Sequence, residues 1–210
     1  MKLTLFGATG KIGPHLIREG LERGDELTVF ARKQTRFENP DVQIIRGDLT
    51  DLDQVRQAVR GADAVLSALG PTRIPHPSDL PITRATRTIV TAMEQEQVKR
   101  LIAISTGTAV DPGDGYDLKI RWPAALIKWA MRGAYNDMLG LAEVIRNSPL
   151  DWTMVRAAVL KDRPPSGHLN VGLYGHTRHS LTISRADVAR FMFEQIAQPD
   201  FIHEAPGISA

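Results

Sequence analysis

Three glycines, Gly7, Gly10 and Gly13, lie in the stretch LFGATGKIG (residues 5–13), after a short apolar run and before residues of helical periodicity. A turn without side chains lets backbone approach a phosphate closely, and the helix that follows turns free N–H groups and its positive dipole end toward an anion. The spacing differs by one residue from the dinucleotide fingerprint G-x-G-x-x-G, so the context of strand before and helix after carries much of the inference. A second group is Arg32-Lys33, with Arg36 nearby, at the end of ELTVFAR (26–32). An acid at that place would bond a ribose 2'-hydroxyl and repel a 2'-phosphate, whereas a guanidinium can hold the phosphate with two hydrogen bonds. The pattern favours NADP(H) over NAD(H). A third group, Ser105 and Thr106, closes the run VKRLIAIST (98–106); these hydroxyls either donate to a ligand or satisfy backbone at a strand end.

These groups need a scaffold that gathers strand ends. Residues 2–6 read as a strand, and Ile12, Leu16, Ile17 and Leu21 recur at helical spacing until Gly24. Strands follow at 26–32 and 42–48, then a helix between Asp51 and Gly61. The run ADAVLSALG (62–70) is nearly continuous in apolar residues, as in strands buried on both faces of a parallel sheet, and Ser67 within it is expected to be packed. Four prolines between 70 and 81 make a loop, after which Ser78 is expected to cap a helix carrying Ile82, Ala85, Ile89 and Met93. A fifth strand spans 98–106 and a sixth 150–156, separated by an irregular segment at 110–121, a helix around PAALIKWAM and another through Met138, Leu141, Ala142 and Ile145. A Gly-, Pro- and His-rich loop runs from Lys161 to Ser180, and SRAD (184–187) has the pattern of a capping box opening a last helix. Alternating strands and helices predict an α/β fold with a doubly wound parallel sheet and helices on both faces, one domain over 1–210, with 157–183 forming a small substrate-side lobe. Ligands of such sheets sit beyond the carboxyl ends of the strands, where the strand order reverses.

The bulk composition narrows the field. The chain has 210 residues, 42% hydrophobic and 24% charged, with a formal net charge of +2, and no basic block long enough for a nucleic-acid partner. Cysteine is absent, which removes disulfides, cysteine-based zinc sites and thiol catalysis. No stretch reaches the ~18 apolar residues of a membrane span, and the chain is strand-like from residue 3, so a cytoplasmic location is expected. His176 and His179 form the one close histidine pair, without the third ligand a metal site needs, while His15 is expected at the surface. His168, His176 and Arg178 are candidates for the substrate mouth. The stretch 120–135, with two tryptophans beside basic residues, fits core packing, a lid, an oligomer contact or a membrane-surface helix.

GATGKIG, with ARK, RGDLTD, GADAVLSALG, AISTG and SPLDWTMVRAA, resembles the atypical short-chain dehydrogenase/reductases, and is most similar to their NmrA-like and flavin reductase/biliverdin reductase B branch. The resemblance implies a Rossmann-type fold in which Thr9, Gly10, Lys11 and Ile12 cover the pyrophosphate and Arg32 and Lys33 meet the 2'-phosphate. It further implies that Asp48 and Leu49 flank the adenine, that Ala68, Leu69 and Gly70 pass the nicotinamide ribose, and that Ser105 and Thr106 lie beside the nicotinamide.

One departure matters for chemistry. Many short-chain reductases pass a proton through a Tyr-x-x-x-Lys pair, but Tyr116, Tyr135 and Tyr174 are followed four residues later by Ile120, Leu139 and Arg178. A hydride transfer that asks little acid of the enzyme survives this loss, as with a flavin, quinone or other conjugated small-molecule acceptor. A non-catalytic NADP(H)-binding redox sensor of NmrA-like type is equally compatible with the missing pair, whereas an epimerase or dehydratase would need more chain after residue 156.

Overall fold

Strands buried on both faces need apolar side chains on both, and the structure shows why those stretches are nearly continuous in them. The computed structural model describes residues 1–73, 75–116, 130–198 and 200–210; most of the helix expected around PAALIKWAM, with Trp122 and Trp129, lies outside them. Strands β1 (Lys2–Phe6), β2 (Glu26–Arg32), β3 (Gln43–Gly47), β4 (Ala64–Ser67), β5 (Arg100–Thr106) and β6 (Asp151–Ala157) pair in parallel in the order β3-β2-β1-β4-β5-β6. The order reverses between β1 and β4, which is where a doubly wound sheet opens its ligand crevice.

Helices α2 (Leu52–Val59), α3 (Pro81–Gln95) and α4 (Arg132–Arg146) cover one face, packing over Phe6, Val65, Leu101, Ala103 and Met154. Helices α1 (Gly13–Glu22) and α5 (Arg185–Ala197) cover the other, over Leu5, Leu66, Ile102 and Val155. Each strand divides its side chains by parity between the two cores. On the first face, the parity of Leu101 and Ala103 places Ser105, and that of Trp152 and Met154 places Arg156.

Of the capping box read at SRAD the serine arm forms, Ser184 Oγ accepting the Asp187 N–H at 3.0 Å, while the Asp187 carboxylate accepts the Ser184 hydroxyl and the Ser166 N–H. The cap expected from Ser78 does not form. Leu80 is the N-cap residue of α3, with a left-handed φ of 50°, and no side chain of its own segment caps the helix. The cap arrives from α4, where Asp137 accepts the Ile82 N–H at 2.9 Å and the Thr83 N–H at 2.7 Å. A buried carboxylate thus replaces the solvent-exposed serine as partner of the open helix end.

Three-residue strands complete the sheet beyond what the sequence pattern predicts. β10 (Gly207–Ser209) runs parallel to β6, and β8 (Asn170–Gly172) runs antiparallel to β10, making an eight-stranded sheet. β7 (Val159–Lys161) and β9 (Thr182–Ser184) form a separate two-stranded pair. The stretch read as a loop from Lys161 to Ser180 therefore contains a strand, one too short to show alternation.

Leu66 is fully buried in the middle of the sheet. Leu66→Ala is expected to lower unfolding free energy by about 2–5 kcal/mol, the range for truncating a buried leucine, as read from the midpoint of urea denaturation.

Candidate functional site

The turn after β1 is built from backbone alone. Gly7 has φ +77°, and a Cβ on it would lie 2.6 Å from the Ala68 carbonyl carbon and oxygen, where the chain leaves β4. A Cβ on Gly13 would lie 1.6 Å from the Ala8 carbonyl oxygen. The turn closes on itself through Gly10 N–H to Gly7 O and Gly13 N–H to Gly10 O, both 3.0 Å. No side chain caps α1, whose N-cap residue is Ile12 and whose first turn holds Pro14. A tight glycine turn feeding an uncapped helix start is the arrangement that receives a phosphate.

Around this turn the structure gathers the other predicted residues at the carboxyl ends of the strands. Thr9 is half-buried and Lys11 exposed, while Ile12 packs into the α1 side of the core. Arg32 and Lys33, at the end of β2, are exposed, and among the described residues neither is joined to an acid. Asp48, just past β3, is oriented by Thr50, whose N–H and hydroxyl both donate to Oδ1 at 2.8 Å. Those two bonds hold its carboxyl below the usual range, with Lys33 and Arg84 contributing. Leu49 packs against the core. Ala68, Leu69 and Gly70 continue from β4 beside Gly7, anchored by Ala68 N–H to Phe6 O at 2.8 Å.

At the end of β5 the two hydroxyls differ. Thr106 Oγ1 lies 3.0 Å from Thr108 Oγ1, a local partner within the turn. Ser105 is 5% exposed and, among the described residues, its Oγ has no hydrogen-bond partner. A buried hydroxyl left unbonded costs free energy, so its persistence at the carboxyl end of β5 fits a ligand partner. An uncapped helix start, exposed unpaired cations at the end of β2 and an orphan hydroxyl at the end of β5 together suit a dinucleotide.

Of the histidines, His15 is half-buried rather than at the surface, and burial first, then Arg18, holds its ring below the ordinary imidazole value. His179 packs on Tyr174 with ring centroids 4.4 Å apart and bonds Ser209 Oγ and Gly172 O, so it is part of the sheet edge. His168, His176 and Arg178 are exposed. Among the described residues no group of three or more metal-ligating side chains occurs, and no helix is long and apolar enough to cross a membrane.

Sequence reading missed a buried ion pair beneath this edge. Arg156, beside Ser105 across the β5–β6 pairing, is 1% exposed and bonds Asp114 through both Nη atoms at 2.6 Å. Its Nε donates to Ala205 O at 2.7 Å, and its guanidinium lies 4.9 Å from the Tyr174 ring centroid. Asp114 also accepts the Asp111 and Tyr174 N–H groups. The network ties the segment after β5 to β6, β8 and the chain before β10. The signal was present, since an arginine inside the apolar run of β6 requires a buried acid, but the sequence does not say which acid.

A profile of a family described as NAD(P)H-binding matches residues 7–199. The chain belongs to that family. Among curated relatives, the uncharacterized protein YwnB of Bacillus subtilis is 23% identical over 212 residues, covering 97% of this chain and 96% of that one. The chain spans about a third of the length of the longer relatives it matches in part. A short-chain dehydrogenase/reductase of Veillonella parvula in complex with NADP superposes with a TM-score of 0.78 at 22% identity, covering 100% of this chain and 94% of that one. ChuY, an anaerobilin reductase of Escherichia coli O157:H7, does so with a TM-score of 0.76 at 21% identity, covering 100% and 97%. These structures establish the Rossmann fold, and the family establishes the nicotinamide cofactor as ligand class.

Burial alone would raise the Asp114 pKa, but hydrogen bonds from Arg156 and the Asp111 and Tyr174 N–H groups outweigh it and hold the carboxyl below the ordinary value of 3.8. The associated stability is fully present above the unfolded carboxylate's pKa and is lost as pH falls from there through the folded value. Asp114→Asn is expected to cost about 3–5 kcal/mol at pH 7, because Arg156 is left buried without a counter-charge. It also shallows the acid limb of a stability-versus-pH curve measured by denaturation.

Proposed function

We propose that this protein is an NADPH-dependent oxidoreductase that passes hydride to a flat conjugated acceptor such as a flavin or a quinone. The observation that carries the reading is the reversal of strand order between β1 and β4, with the glycine turn and the uncapped α1 after β1 and the unbonded Ser105 hydroxyl at the end of β5. In this assignment Gly7, Thr9, Gly10, Lys11 and Ile12 surround the pyrophosphate, and Arg32 and Lys33 hold the 2'-phosphate. Asp48 and Leu49 flank the adenine. Ala68, Leu69 and Gly70 pass the nicotinamide ribose, with Ser105 and Thr106 at the nicotinamide, where the bound cofactor supplies a hydride.

The acceptor class rests on what α4 lacks. Tyr135 lies on this helix, and the residue one turn later is Leu139, so no lysine tunes a phenol for carbonyl chemistry. The chain's own work is then to orient two rings and exclude water. A fold shared with an anaerobilin reductase agrees with a conjugated acceptor. The missing pair equally supports a second reading, a protein that binds NADP(H) and reports its redox state to a partner without turnover.

Purified protein is expected to consume NADPH faster than NADH in the presence of flavins or quinones, well above the uncatalysed rate. Tight NADPH binding with no oxidation by any acceptor would instead give the sensor reading the lead. Arg32→Ala is expected to weaken NADPH binding on the order of 10- to 100-fold, the worth of a charge-assisted hydrogen bond, and to leave NADH nearly unchanged in calorimetric titration. Equal losses for both would remove Arg32 from the 2'-phosphate.

A further inference from the structure

The loop between β4 and α3 carries a histidine that the reading above does not use. His76 Nε2 lies 2.7 Å from Asp137 Oδ2 on α4, with the two side chains 5% and 0% exposed. Asp137 also accepts the Ile82 N–H, the Thr83 N–H at 2.7 Å and the Thr83 hydroxyl at 2.7 Å. Burial alone would raise its pKa, but these bonds outweigh burial and hold the carboxyl below its ordinary value, so it is an acceptor only. His76 must therefore donate from Nε2, which makes Nδ1 the free position of the ring. That nitrogen is buried and has no hydrogen-bond partner.

A tether from loop to helix needs Nε2 alone, and an unbonded buried Nδ1 adds only cost. Its position gives it a use. In a parallel sheet the start of α3 and the start of α4 both lie at the carboxyl ends of the strands, where β4 and β5 deliver the chain. The pair lies on the sheet face of α2, α3 and α4, which is also the face of Ser105. From α3 the pair meets the uncharged Thr83, and from α4 the carboxylate of Asp137 and the backbone around Gly133. A carboxylate fixing a histidine whose other nitrogen is open has the logic of an oriented acid–base pair.

We propose that His76, oriented by Asp137, is the acceptor-side proton donor of this protein. The proposal rests on the oxidoreductase reading and supplies the proton that the absent Tyr-Lys pair would give. For a quinone, the C–H bond of reduced NADPH breaks with its electron pair, the quinone gains hydride and is reduced, and NADP+ is the oxidised product. His76 takes part as the doubly protonated ring: its Nδ1–H bond breaks in the same turnover, the proton passing to the quinone oxyanion to give the hydroquinone and leaving the neutral ring with its proton on Nε2. Water then returns a proton to the ring.

The test compares wild type with His76→Gln, whose side-chain amide can still donate to Asp137 but cannot carry a proton. With NADPH and 2-methyl-1,4-naphthoquinone, kcat is expected to fall roughly 10²-fold, within the range for loss of a general acid, with NADPH affinity unchanged. The solvent deuterium isotope effect on wild-type kcat, the mark of a proton in flight, is expected to vanish in the variant. In wild type with 15N-labelled histidine, the His76 Nδ1 resonance is expected to shift when NADP+ and the quinone are added together, a reading independent of turnover and of how the variant folds. Wild type that turns over while His76→Gln keeps its rate and its solvent isotope effect would overturn the role of His76 alone, as would an unmoved Nδ1 resonance. Wild type inert toward every acceptor would sink the oxidoreductase reading, and proton delivery with it.

Discussion

Everything at the ligand edge depends on how closely the turn after β1 approaches the end of β4. With a Cβ on Gly7 only 2.6 Å from the Ala68 carbonyl, the two strand ends meet backbone to backbone. The approach falls at the point where strand order reverses, and no side chain caps the start of α1 that follows it. A larger residue would have to move one strand relative to the other, and the close-packed cores on both faces resist such a shift.

Two buried acids organise the ground beyond this crevice. Asp137 caps α3 from α4 and fixes His76, joining the proline-rich loop and two helices at one carboxylate. Asp114 neutralises Arg156 and, through it, binds the segment after β5 to the strands at the far edge. Both are long-range partnerships: Asp137 takes the place of a local cap, and Asp114 adds its distant partners to the local bond from the Asp111 N–H. The turn after β1 rests on glycine and backbone, whereas these two places rest on buried charge.

Legibility in the sequence followed the range of the interactions. β1, β2, β4, β5 and β6 were readable because a strand buried on both faces announces itself in consecutive residues, as in AVLS of β4, and the partly exposed edge strand β3 was readable from its VQII run. The glycine turn and the Arg32-Lys33 pair stood out because each lies at the end of such a strand, whereas the reading of Asp48 came from the family resemblance. β7 to β10 were not, since three residues are too few to display a period. Ser78 was a reasonable cap on local grounds, but the carboxylate that caps α3 lies 55 residues from Ile82 in the chain. His76 and Arg156 were visible as residue types, and only the fold could name their acids.

The position of β10 has a consequence for the order in which the molecule is built. β10 separates β6 from β8, and the Arg156 Nε reaches its acceptor only at Ala205. As the chain leaves the ribosome, Arg156 therefore lacks part of its surroundings until Ala205, 49 residues further along, has followed it. The buried pair of Arg156 and Asp114 is thus completed by a stretch of chain made well after both of its members.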